Sequence, residues 1–167
     1  MSRGPLPFDP VAEARRQWEE RGWGRSAAGM AAVTSVMRAQ QILTARVDAQ
    51  LRPLGLTFAR YEVLMLLEFS SAGELPMRVI GERLQVHPTS VTNAVDRLER
   101  DALVVRRSHP GDRRAVLVAI TPEGSAAAAT ATDRLNDQVF ADLGLDPRAE
   151  HALTSSLEQL RRHAGDF

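Results

Sequence analysis

Residues 86–121, VHPTSVTNAVDRLERDALVVRRSHPGDRRAVLVAIT, leave a folding chain few options, because a short amphipathic helix runs directly into a basic hairpin. Within the helix, expected at 88–101, Val91, Val95 and Leu98 recur at the i, i+4, i+7 spacing that lays apolar side chains along one stripe, so that stripe faces a core. Thr89, Ser90, Asn93 and Arg97 occupy the other side. Leu103, Val104 and Val105, then Val116, Val118 and Ile120, are apolar, mostly β-branched runs on either side of His109-Pro110-Gly111-Asp112, a turn-forming cluster. This is the one convincing strand pair in the chain. A two-stranded hairpin does not stand alone in water, so it lies against the helices and its tip, with Asp112, Arg113 and Arg114, projects outward.

The rest of the chain reads as helix. Asp9-Pro10 and Asp146-Pro147 each place a capping acceptor before a proline at the first helical position, and Thr57 and Thr121-Pro122 repeat the signal. Helices are expected at 10–22, 26–51, 57–69, 76–84, 122–142 and 147–163. Val36, Leu43, Val47 and Leu51 form one stripe on the second; Leu135, Val139 and Leu143 do so on the helix from 122, and Leu153, Leu157 and Leu160 on the last. The fold class is therefore mainly α with a small β-hairpin wing. Its organisation is an N-terminal extension helix at 1–25, a helical dimerisation region at 26–56 and 121–167, and a helix-and-hairpin domain at 57–120. The outer helices carry more apolar surface than the roughly 80 residues between them can cover, which calls for a second copy of the chain.

Charge matters here through its distribution. The net charge is zero over 167 residues, yet residues 76–120 hold eight arginines against five acids, a local +3, and residues 121–167 hold four against eight, a local −4. The positive field belongs to the helix and hairpin. Absence of cysteine excludes disulfides and thiolate chemistry, and four scattered histidines form no metal-binding pattern, so neither cofactor nor metal is expected. The chain has no nucleophile elbow, glycine-rich phosphate loop or paired-carboxylate motif, and an enzyme is not expected. With no long apolar run and no signal-peptide core, no membrane association is expected; the location expected is the cytoplasm, at the nucleoid when on DNA.

Hydroxyl, amide and guanidinium groups at Thr89, Ser90, Asn93 and Arg97 suit base edges and phosphates in a major groove that admits a helix; the plainer alternative is a solvated helix face. Pro88 opens this helix and leaves its first backbone amides available to a phosphate. On the hairpin, Arg113 and Arg114 can enter a minor groove, where negative potential attracts guanidinium. Asp112 either orients a neighbouring arginine or closes the turn. Arg106 and Arg107 are DNA contacts or an edge-strand defence against aggregation.

Helix followed by basic hairpin is the layout of a winged helix-turn-helix. The stretches GLTFARYEVLMLL, PMRVIGERLQVHPTSVTNAVDRLERDALVVRR and HPGDRR, then AVLVAIT with Pro122-Glu123-Gly124, resemble the MarR-type winged-helix transcription regulators over about residues 30–165. The resemblance implies an intertwined homodimer whose first and last helices interlock, presenting two recognition helices and two wings to a pseudo-palindromic operator in double-stranded DNA. It places Thr92 on the recognition helix with Thr89, Ser90, Asn93 and Arg97, and puts Asp112 and Arg114 at the family's wing-tip acid and arginine. Such proteins usually repress nearby genes and often leave DNA when a small aromatic or phenolic ligand binds. The alternative is a winged-helix dimer that serves as a ligand-binding or protein-interaction module.

Trp18, followed by Trp23, resembles the extra helix of a urate-responsive branch of this family. Glu62 stands where that branch carries Asp, Arg106 supplies one arginine, and Ala94 replaces another; an anionic purine would lose a charge-assisted partner there, which argues against urate. Trp18 then either packs the extra helix or joins Phe58, Tyr61, Glu62 and Met65 in a pocket for another ligand.

Overall fold

The computed structural model describes residues 6–109 and 111–167, apart from the side chains of His109 and of residues 112–114. All four capping signals are realised. Asp9 accepts from the Val11 amide, Thr57 from Arg60, Thr121 from Gly124 and Asp146 from Ala149, each satisfying one of the donors that a helix start leaves unpaired. The helices that follow are α1 (Pro10–Glu20), α3 (Phe58–Glu68), α6 (Pro122–Leu135) and α7 (Pro147–His163). Between them lie α2 (Gly24–Leu51), α4 (Met77–Leu84) and α5 (Pro88–Arg100). Three strands, β1 (Glu74–Pro76), β2 (Val104–His109) and β3 (Asp112–Ile120), form an antiparallel sheet in the order β1-β3-β2.

The described chain divides into two units, one up to Ala49 and one from Gln50 to Phe167. In the first, α1 is stitched by exposed pairs: Arg16 bonds Glu13 and Glu20, and Arg15 bonds Glu19. The hydrogen bond from Arg16, aided by one from Gln17, holds the Glu13 carboxyl down at about 2. Pairs of this kind on a helix surface contribute little, because water screens them and the long side chains lose freedom. Trp18 and Trp23 meet edge to face, with centroids 5.1 Å apart.

In the second unit α3 packs against α5, α6 and β3. Its Val63, Leu64 and Leu67 are buried with Ile80 of α4, Val91, Val95 and Leu98 of α5, Val118 of β3, and Leu135. At roughly 1.5–3 kcal/mol per fully buried aliphatic side chain, this cluster is the main stabilising element.

Two expectations need correction. The hairpin is not alone, because Glu74, Leu75 and Pro76 pair with Ala119, Val118 and Leu117 on the far side of β3. Pro76 opens α4 as its N-cap, as expected, and also ends this strand, which the sequence does not show; three residues are too few for an alternation, and at an edge the missing proline donor costs little. The helix expected at 122–142 is α-helical only to Leu135, then widens into a π turn at Asn136–Phe140 and stops before Gly144, whose φ is +77°.

The stripe on α2 splits. Val47 and Leu51 are buried, whereas Val36 and Leu43 are exposed, as are Val33, Met37 and Ile42. No residue of α7 is buried, and Leu153 and Leu160 are exposed.

The junction between α5, the hairpin and α6 is tightly built. After α5, Ala102 adopts φ +59° and the chain turns into β2. Thr121 donates its hydroxyl to the Ala102 carbonyl at 2.9 Å and its amide to the Leu103 carbonyl at 3.1 Å. Gly124 then lies so close that an added Cβ would sit 2.0 Å from the Leu103 carbonyl oxygen. Gly124→Ala is expected to destabilise the chain by about 3 kcal/mol or more in urea unfolding, since the obstacle is backbone; a loss under about 1 kcal/mol would show that the junction is loose.

Candidate nucleic-acid interface

Helix α5 begins at a proline, and its first free amide is met by the ring of the preceding residue. His87 accepts from the Thr89 amide through Nδ1 at 3.3 Å, giving that histidine a capping role. The turn from α4 to α5 passes through Gln85, held at φ +52°. That turn aims α5 so that Val91, Ala94, Val95 and Leu98 are buried and Pro88, Thr89, Ser90, Thr92, Asn93 and Arg97 are exposed. The Thr92 hydroxyl donates to the Pro88 carbonyl at 3.0 Å. Among the described residues, the side chains of Ser90, Asn93 and Arg97 make no hydrogen bond or ion pair, so all their donors and acceptors are open to a ligand.

On the hairpin, Val104 to Ser108 face Ile120 to Val116 in regular register, which shifts between Ser108 and His109 so that His109 lies opposite Asp112. The side chains of Asp112, Arg113 and Arg114, assigned above to the wing tip, lie outside the described residues. Arg107 is exposed and 3.8 Å from Glu74. Arg106 differs: its guanidinium bonds Asp96 at 2.5 Å and also Glu99, and its amide donates to Glu99 at 3.0 Å. Burial pulls the guanidinium pKa down, and the bonds to Asp96 and Glu99 outweigh it, leaving the pKa above the ordinary arginine value. Reading Arg106 from sequence as a DNA contact or edge charge missed these partners. The signal available was the i, i+3 pair of acids on α5, which says nothing by itself about a strand residue several positions on.

Among residues assigned to a ligand pocket, Tyr61, Glu62 and Met65 line a shallow depression of about 270 Å³ with Leu66, Phe69 and Leu84. Phe58 stacks on Tyr61 with centroids 6.0 Å apart, and the Tyr61 hydroxyl is bonded to Thr132 at 3.1 Å. Trp18 belongs to the first unit, against Trp23.

This architecture has known counterparts. The model of the MarR family matches residues 54–115. The HTH-type transcriptional regulator MhqR of Bacillus subtilis is 31% identical over 87 residues, which is 52% of this chain and 59% of MhqR, so the match spans less than two thirds of that relative. The crystal structure of Sco5413, a MarR family transcriptional regulator from Streptomyces coelicolor, is 52% identical, with a TM-score of 0.77 over 84% of this chain and 97% of its own. The chain belongs to the MarR family. A second MarR family regulator from Streptomyces coelicolor, Sco3205, whose structure is a complex with DNA, matches at 25% identity with a TM-score of 0.69, covering 79% of this chain and 85% of its own. In MarR terms α4 and α5 form the helix-turn-helix, and β2 with β3 is the wing.

Glu62 gives the depression a titratable wall. Burial raises its carboxyl pKa above the ordinary value, because the charged form is penalised in the folded chain. The folded state therefore holds this proton more tightly than the unfolded state, and stability falls as pH rises from the unfolded carboxyl pKa through the raised one. Glu62→Gln, which keeps the shape without the charge, is expected to raise Tm at pH 7 and to change it little at pH 4. A lower Tm at pH 7 would reveal a stabilising partner for the carboxylate.

Proposed function

We propose that this MarR family chain acts as a homodimer that binds a pseudo-palindromic operator in duplex DNA, represses the adjacent genes, and releases the operator when a small aromatic or phenolic ligand binds. The single observation carrying the DNA-binding reading is the outward face of α5, where Ser90, Asn93 and Arg97 are exposed with their polar groups uncommitted among the described residues. A helix face of this composition matches what major-groove edges offer: acceptors on guanine, an amide-complementary pair on adenine, and phosphates at the rim. Thr89 and Thr92 serve the flanking phosphates through their side chains, since the first amides of α5 are taken by the His87 ring and carbonyl. Arg114 is assigned to the minor groove, with Arg113 beside it, Asp112 in support and Arg107 along the wing. The local excess of positive charge at 76–120 adds the sequence-independent attraction that DNA binding requires.

The homodimer is supported by apolar surface that one chain leaves in water. Val33, Val36, Met37 and Ile42 on α2, and Leu153 and Leu160 on α7, are more than a soluble single chain ordinarily exposes on two helices. The helical dimerisation region therefore comprises 26–56 and 121–167, flanking a DNA-binding domain at 57–120, with 1–25 as an extension. Ligand response is supported by the depression at Tyr61, Glu62 and Met65, with Phe58 stacked on Tyr61.

Fluorescence anisotropy with an operator selected from genomic fragments tests this reading. Binding is expected to saturate at two chains per operator. Asn93→Ala or Arg97→Ala should erode the preference for operator over scrambled duplex by about 1–3 kcal/mol, whereas Arg114→Ala should weaken both duplexes and reduce the salt slope of log K by about 1. Absence of any salt-dependent duplex binding would leave the ligand or protein-interaction module as the better reading.

A further inference from the structure

The wing strand β2 lies at the edge of the sheet, so every second amide along it faces away from β3 and needs a partner elsewhere. At Arg106 that partner is the Glu99 carboxylate, whose two oxygens take the Arg106 amide and the Arg106 guanidinium. The remaining end of the guanidinium reaches Asp96, one helical turn earlier on α5. One residue of the wing is thus fastened at three points to two residues of the recognition helix. The Arg106 side chain is the least exposed of the three, at 25% against 55% for Asp96 and 39% for Glu99.

The position of these acids on the helix gives the contact a second consequence. At about 100° per residue, Asp96 lies about 60° from Asn93, and Arg97 points about 100° away from Asp96. Asp96 therefore flanks the Ser90, Asn93 and Arg97 stripe. An unpaired carboxylate there would repel the phosphates on either side of a groove. With Arg106 in place the trio carries a net charge of −1 instead of −2, which also makes the trio a poor seat for a phosphate.

We infer that Arg106 is a positioning residue that fixes the angle between recognition helix and wing and masks Asp96 and Glu99 at the DNA face, without itself contacting the nucleic acid. The inference rests on the DNA-binding reading above and deepens it. Its structural half, the strut between α5 and β2, holds in the free protein.

The test compares Arg106→Met, Arg106→Lys and the triple variant Arg106→Met/Asp96→Asn/Glu99→Gln in the full chain. Arg106→Met is expected to lower operator affinity by about ten- to a hundredfold while leaving the salt slope of log K unchanged, because no phosphate contact is lost. Lysine, a point charge that cannot bridge two carboxylates in a fork, should lie between. The triple variant, with both carboxylates neutralised, should recover most of the lost affinity. In the DNA-free protein, amide exchange over 104–108 should quicken in Arg106→Met. A salt slope reduced by about 0.9 with no recovery in the triple variant would make Arg106 a phosphate contact and overturn the inference. Unchanged exchange over 104–108 would overturn the strut. If the wild-type chain bound no duplex while exchange still quickened, the DNA-binding reading would fail and the strut would stand. Should Arg106→Met not fold, the lysine variant alone decides: full affinity with unchanged exchange rejects the inference, and reduced affinity at constant slope supports it.

Discussion

Burial of Val91, Val95 and Leu98 against α3 and the sheet is the constraint from which the rest of the site follows. Once those side chains are committed to the core, the helical repeat leaves Ser90, Asn93 and Arg97 no direction but outward, and the polar character of that face costs nothing in stability. The same commitment positions the C-terminal end of α5, where the chain turns at Ala102 and enters β2. From there Thr121 and Gly124 lock the start of α6 against the Ala102 and Leu103 carbonyls. The outward face of α5, the wing and a supporting helix are thus set by one packed stripe and one backbone junction.

Much of this was legible because it is local. Caps at Asp9, Thr57, Thr121 and Asp146, the apolar spacing on α5 and the strand runs paired up to His109 and Asp112 each act within a few residues, and each is realised where the sequence places it. What escaped sequence reasoning depends on pairing over distance. Strand β1 is only three residues, and what makes it a strand is β3, more than forty residues on. The link from Arg106 to Asp96 and Glu99 joins a strand to a helix, so neither partner advertises it. The π turn at Asn136–Phe140 has no compositional mark in a segment that otherwise favours helix.

The apolar faces of α2 and α7 bring these observations to the level of assembly. A stripe buried at Val47 and Leu51 but open at Val36 and Leu43 is a helix only partly satisfied by its own chain. In the proposed homodimer, stability and the spacing of the two copies of α5 would be coupled, since the surface that completes the fold would also set how far apart they stand. A ligand at Tyr61, Glu62 and Met65 would act on α3, the helix on which α5 is packed.

The most direct measurement of the central claim, that α5 reads the major groove while the wing enters the minor groove, is dimethyl sulfate protection on the selected operator. The reagent methylates guanine N7 in the major groove and adenine N3 in the minor groove. The account predicts two clusters of protected guanines about one helical turn, roughly 10 bp, apart on one face of the duplex, each flanked outside by protected adenines. A bound complex whose guanines all remain reactive, with protection confined to the minor groove or absent, would contradict it.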